Sequence, residues 1–467
     1  MALAAIHAIC DAYASSSTAS KPQGSLQVMT KSKSAFPVRA APANGARTSV
    51  RTKAGKRRFL EISKRRSGVA VFRRDKSRAP GLRLVCALNT CLVSVLAWVL
   101  CARAAAEPIR EGIAINLGGR TALLKSLDTL PYVESDYTKR FKFDSYENPK
   151  LKELRDRYKL DDVVASGKDE FDKQVLLMDW AHQQFKKFGP PSTNARGALE
   201  ILKAIDEGNT FFCSQYAELL VSTAASLGWV DRPLALRRHQ GVAKVGGSTE
   251  HSVTEIWSNQ HWKWVMLDPT SNLYLEREGS PLNAYEIRQE WFYREGTNLV
   301  FVVGKERKKY GKSDLPIFLK RFAGFGNLAI HPDELDKYGF TAYIPNTDLM
   351  DSGFDYARMF IVKDALCDGT KWHVRNVPAN PAIDPYFPVG QAALSLYAEE
   401  GKIRAVLKTL TPNFKCYEVR IDGGGWNVSD DSFIWPMHDD QNRLEARTAN
   451  KFGVTGPVST AVVEIRK

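Results

Sequence analysis

The chain has 467 residues, 44% hydrophobic and 25% charged, which excludes a wholly disordered chain, a collagen and a polytopic membrane protein and allows a sizeable core in more than one domain. The formal charge of +14 is uneven: residues 1–106 hold 19 Lys and Arg against 3 Asp and Glu, and the remainder is close to neutral. A near-neutral folded part argues against a nucleic-acid partner, which calls for a basic surface that displaces counterions.

Residues 1–80, rich in Ser, Ala, Lys and Arg, read as a basic disordered leader. Residues 81–106 read as a signal peptide or transmembrane helix. Leu84 to Ala102 is an uncharged apolar run of 19 residues, Arg73, Arg74, Lys76, Arg78 and Arg83 precede it, and Ala104-Ala105-Ala106 follows Arg103. That order is the layout of a secretory signal, and the run is long enough to span a bilayer. Cleavage after Ala106 gives an exported protein and retention gives a single-pass anchor. Either way residues 107–467 are expected outside the cytoplasm, in a periplasmic, extracellular or membrane-anchored location.

Of seven cysteines, only Cys213, Cys367 and Cys416 lie beyond the leader. Export permits a Cys367–Cys416 disulfide, which would leave Cys213 as the odd thiol, and two separate structural cysteines are equally compatible.

Residues 107–174 read as a helical N-terminal region, with Leu151, Leu154 and Tyr158 at helical spacing. Residues 175–300 carry the chemistry, 301–390 are a connecting region, and 391–467 alternate as strands. In that last part Tyr417, Val419 and Ile421 face one way, Leu444, Ala446 and Thr448 do the same, and Asp422-Gly423-Gly424-Gly425 forms a turn. Short alternating strands with regular turns predict an antiparallel β-sandwich.

Ala217, Leu220, Val221, Ala224 and Leu227 follow a helical period that Gly228 stops, with Thr210 as the expected N-cap. Cys213 therefore falls in the first turn of a buried helix, where orphan N–H groups and the helix dipole favour a thiolate. Downstream, Glu250 to Trp257 and His261 to Asp268 read as two strands joined at Ser258-Asn259-Gln260-His261. A two-residue loop at Asn259-Gln260 would pair Trp257 with Trp262, Glu255 with Trp264, Val253 with Met266 and His251 with Asp268. The carboxylate would then fix the tautomer of the imidazole and leave its other nitrogen to the thiol. Taken singly, Cys213 is more commonly a buried structural cysteine, His251 a hydrogen-bonded strand histidine and Asp268 a residue capping its own turn before Pro269. All three together on these elements are hard to obtain by accident.

These residues resemble the transglutaminase-like superfamily of papain-like fold: Cys213 with Tyr216-Ala217, His251 with Glu255, and Trp264-Val265-Met266-Leu267-Asp268-Pro269-Thr270, over about residues 175–275. The resemblance implies an α+β core in which the helix carrying Cys213 packs on an antiparallel sheet. It also implies roles: Cys213 as nucleophile, His251 as general base and acid, Asp268 as orienting carboxylate. The backbone N–H of Cys213 and one of Trp180, Gln183 or Gln184, on the preceding helix, would be the oxyanion donors. The chain departs from the family at Phe211, where many members carry Gly, and at Gln215, where the residue is often acidic.

The expected activity is attack of the Cys213 thiolate on an amide or peptide carbonyl of a protein or peptide substrate. The resulting thioester passes to water or to an amine. The competing expectation is an inactive binding or scaffold protein of the cell envelope. No cofactor and no metal are expected, because the remaining histidines lack ligand spacing and no calcium-loop pattern occurs.

Overall fold

The computed structural model describes residues 107–135, 138–237, 250–294, 296–311, 314, 340–343, 360–363, 375–378 and 385–466. The leader, the apolar run of 81–106 and Cys367 lie outside the described residues.

In chain order the first elements are strands β1 (Ala114–Leu117) and β2 (Arg120–Asp128). Helices α1 (Pro149–Arg157), α2 (Leu160–Val164), α3 (Glu170–Gln184), α4 (Ala198–Asp206) and α5 (Cys213–Ser226) follow. Next come β3 (Asp231–Arg237), β4 (Glu250–Ser258), β5 (Lys263–Asp268), β6 (Leu273–Arg277), β7 (Ser280–Pro281), α6 (Ala284–Arg294), β8 (Val300–Val303) and β9 (Lys308–Gly311). Three short strands, β10 (Phe340–Tyr343), β11 (Phe360–Lys363) and β12 (Arg375–Pro378), precede the C-terminal set. That set is β13 (Ala393–Glu399), β14 (Lys402–Lys408), β15 (Phe414–Ile421), β16 (Asn427–Ser429), β17 (Ser432–Trp435), β18 (Asp440–Asn450) and β19 (Ser459–Arg466).

The result is a mixed α/β fold with mainly antiparallel sheets. Among the described residues a ten-stranded sheet runs β12-β11-β10-β3-β4-β5-β6-β8-β9 with β7 beside β6, and in it only β11 and β12 pair in parallel. Its central strands are buried on both faces. Val253, Trp257, Trp264 and Met266 enter one core with Phe301 and Phe387, while Ile256, Val265 and Leu267 alternate into a second core with helices α1 to α5. This two-sided burial explains why β4 and β5 read as nearly continuous apolar runs.

The other two sheets, β1-β2-β19-β18-β15-β16 and β13-β14-β17, share a third core containing Leu124, Leu394, Leu407, Trp435, Leu444 and Ile465. The expected pairing face in the C-terminal part is present, with Tyr417 opposite Thr448, Val419 opposite Ala446 and Ile421 opposite Leu444.

One expected character and one expected boundary change. The region 107–174 is not helical throughout, since β1 and β2 form a hairpin across Gly118-Gly119 and β2 pairs with β19. The buried side chains of β2, Ala122 and Leu124, join a core that includes Leu444, Ala461, Val463 and Ile465 from strands some three hundred residues later. The boundary expected at residue 300 cuts through the large sheet, because β8 pairs with β6 and β9 with β8. Among the described residues no helix is long and apolar enough to cross a membrane.

Candidate active site

Helix α5 is almost wholly buried, with Ala217, Leu220, Val221 and Ala224 at zero exposure. It ends as its sequence predicts: Leu227 is the C-cap and Gly228 takes the left-handed conformation at φ +83°. A side chain at Gly228 would also collide with Phe452.

The start differs from expectation. Thr210 is not the N-cap, because its hydroxyl donates to the carbonyl of Pro190 at 2.5 Å. Phe212 caps instead, in an extended conformation, and the Gln215 side chain accepts its N–H at 3.3 Å and the Ser214 hydroxyl at 3.0 Å. Cys213 is thus the first helical residue. Its own N–H belongs to the set that has no intrahelical acceptor.

The β4–β5 hairpin is two residues out of the expected register. The pairs are Glu255 with Met266, Ile256 with Val265, Trp257 with Trp264 and Ser258 with Lys263. The loop holds four residues, Asn259 to Trp262, rather than two. Trp262 sits at φ +56°, the Ser258 hydroxyl accepts the His261 N–H at 3.2 Å, and Asn259 accepts the Trp257 indole N–H at 2.9 Å. These local bonds close a wider turn that Asn-Gln cannot close as a tight one.

A slip of two leaves side chains on the same face, so His251 and Asp268 stay neighbours as a diagonal pair. His251 Nε2 and Asp268 Oδ2 are 3.1 Å apart, and both residues are buried. The other carboxylate oxygen of Asp268 accepts the N–H groups of Thr270 at 2.9 Å and Ser271 at 3.2 Å. The aspartate therefore both caps its own turn and holds the imidazole.

Cys213 reaches this pair from the N-terminus of α5, which is tied to β4 by the Thr254 hydroxyl donating to the Ala217 carbonyl at 3.3 Å. Burial pushes the Cys213 thiol up. The neighbouring His251 imidazole and the Ser252 N–H overcome that and hold it below its ordinary value. Burial likewise opposes a charged His251, but the charges of Asp268 and Cys213 raise it to about 10. His251 Nδ1 makes no well-formed hydrogen bond. The thiol and the imidazole are close enough to couple in charge. Cys213 is partly exposed, whereas its two partners are sealed.

Two of the three expected oxyanion side chains give their amides to other partners, and the third packs its ring on a neighbour. The Gln183 amide donates to Asp179, the Gln184 amide donates to the Trp180 carbonyl at 3.0 Å, and the Trp180 ring meets Tyr158 edge-on at 6.0 Å. The residue of α3 that does reach the site is His182. Its Nδ1 donates to the carbonyl of Pro269 at 2.9 Å, directly after Asp268, and its ring lies 6.5 Å from that of Tyr216. Four residues beyond Met178 on a periodic helix face, His182 carried a signal of packing only.

Glu255, part of the resemblance, is structural. It pairs with Arg232 at 2.6 Å with both side chains fully buried, and accepts the Ala284 N–H and the Tyr386 hydroxyl, each at 2.9 Å. Cys416 carries a free thiol.

No protein-family model matches the chain, and no curated protein matches it. Among solved structures, a "putative cysteine protease" from Cytophaga hutchinsonii overlaps with a TM-score of 0.23 at 15% identity, covering 32% of this chain and 49% of that one. The chain thus matches about half the length of that protein, and an overlap at this TM-score carries no argument about fold or activity.

Proposed function

We propose that this chain is a cysteine-dependent acyl-transfer enzyme of transglutaminase-like type, with a papain-like core and a C-terminal β-sandwich. In this reading Cys213 is the nucleophile, His251 the general base and acid, and Asp268 the orienting carboxylate. The observation that carries it is the hydrogen bond of 3.1 Å from His251 to a fully buried carboxylate, beside a thiol at the first position of a helix. A buried aspartate on Nε2 favours the tautomer whose proton sits on that nitrogen, leaving Nδ1 to take the thiol proton.

The thiolate attacks the carbonyl carbon of an amide or peptide, and the π pair moves to oxygen. Collapse of the tetrahedral species expels the amine, which takes its proton from His251, and leaves a thioester on Cys213. Water or a second amine then resolves the thioester. On the reading of residues 81–106 as a signal or anchor, this chemistry takes place outside the cytoplasm on a protein or peptide substrate.

The test is labelling of the full chain with iodoacetamide across neutral pH. Cys213 should react faster than the same cysteine in denatured protein, since the neighbouring imidazole holds its thiol below the ordinary value and so raises the thiolate fraction at neutral pH. Cys213→Ala should abolish both this labelling and the release of nitrophenolate from p-nitrophenyl acetate. Labelling no faster than in the denatured control would favour an inactive scaffold.

A further inference from the structure

With the Gln183 and Gln184 amides turned to other partners, α5 itself offers a side-chain oxyanion donor. Tyr216 stands three residues after Cys213 on α5, a spacing that brings side chains to the same helix face. Its ring is fixed: it stacks on Phe185 at 3.6 Å between centroids and 12° between planes, with Phe188 tilted against it at 6.0 Å. The residue is only 4% exposed. Its hydroxyl has no hydrogen-bond partner among the described residues, yet it is not one of the polar atoms sealed from solvent. Burial and then the charge on Cys213 push the phenol well above its ordinary range, so it is a neutral donor at every working pH and lies within electrostatic reach of the sulfur.

We infer that the hydroxyl of Tyr216 donates to the oxyanion formed when the Cys213 thiolate adds to a carbonyl, together with the backbone N–H of Cys213. This rests on the reading of Cys213 as nucleophile. As the carbon–sulfur bond forms, the carbonyl π pair becomes a lone pair on oxygen, one atom removed from the sulfur whose charge Tyr216 senses. The phenol keeps its proton and supplies only a hydrogen bond. That bond strengthens as charge develops and relaxes when the carbon–oxygen double bond returns and the amine leaves. A rigid donor with no ground-state partner loses no hydrogen bond in the process.

Tyr216→Phe removes the hydroxyl and keeps the stacked ring. Two probes on the full chain separate the roles. Iodoacetamide alkylates the thiolate by displacement at a saturated carbon and creates no oxyanion, whereas p-nitrophenyl acetate acylates it through one. The variant should keep the melting temperature and the alkylation rate of the wild type and lose about a hundredfold in its acylation burst, the effect of deleting one such donor. An unchanged burst overturns the inference. Equal loss in both probes also overturns it, because Tyr216 would then act on the thiol itself. Wild-type protein that shows neither a burst nor enhanced alkylation refutes the nucleophile reading, and this one with it.

Discussion

His251 and Asp268 meet along a diagonal of the β4–β5 hairpin: the register that pairs Thr254 with Leu267, extended by one residue, sets Val253 opposite Asp268, and the imidazole one pleat further back places Nε2 3.1 Å from Oδ2. The carboxylate is held from the other side by the N–H groups of Thr270 and Ser271. Its position is therefore set by its own turn and not by the histidine. An amide at this position can keep the turn, using its oxygen as acceptor, but the amide nitrogen that would then face His251 is a donor.

Asp268→Asn should accordingly fold with little change in melting temperature and lose acyl transfer. The amide favours the ring tautomer with its proton toward the thiol, so His251 can no longer accept the thiol proton, and a loss of about 10³–10⁴-fold in turnover is expected. Stopped-flow acylation with p-nitrophenyl acetate measures it. A variant that keeps wild-type acylation would mean that the aspartate serves its turn alone.

The parts of this site that could be read from the sequence are those set by local periodicity. The helical spacing of Ala217, Leu220 and Ala224 gives α5, Gly228 gives its end, and strand parity gives the shared face of His251 and Asp268, which survives a slip of two residues. What escaped was set by distant partners. Thr210 looked like a cap, but the Pro190 carbonyl claims its hydroxyl. The four-residue hairpin loop depends on an indole and an asparagine side chain bonding across the turn. The role of β2 depends on β19 at the far end of the chain. Gly118-Gly119 between two alternating runs was the one local mark of that first hairpin. The side chains of α3 could be placed on a helix but not aimed. Trp180, Gln183 and Gln184 share the element that approaches the site, and the two glutamine amides turn to partners of their own.

Arg232 and Glu255 form a fully buried ion pair between β3 and β4, and the guanidinium also lies over the ring of Trp264 at 4.2 Å and that of Tyr386 at 5.0 Å. Removing one partner strands a charge in the core. Glu255→Ala should destabilise the protein by about 3–5 kcal/mol, and the double variant Arg232→Met, Glu255→Leu should recover much of that loss. Denaturant unfolding of both variants checks it. If the single variant loses less than the double, an unpaired Arg232 is not the cost that the buried pair implies.

Glu170 gives the site a pH-dependent foundation. Its carboxylate accepts the N–H of Asn259 at 3.0 Å and the amide of Gln174 at 3.1 Å, while Gln260 accepts the N–H of Phe171 at 3.1 Å, so the start of α3 grips the loop of the hairpin that carries His251 and Asp268. Burial raises the Glu170 carboxyl from 4.5 to about 7 against these hydrogen bonds. Between those two values the folded chain holds a proton that the unfolded chain has released. The sign follows: stability contributed by this group is present at the acid end and falls as pH rises through the window. Glu170→Gln keeps a neutral side chain with an acceptor oxygen for the Asn259 N–H and removes the titration. Melting temperatures of wild type and variant, measured as a series across that window, should diverge with rising pH, the wild type losing ground. Parallel curves would show that the carboxyl is solvated well enough to titrate like an ordinary glutamate, and that the grip of α3 on the hairpin does not depend on its proton.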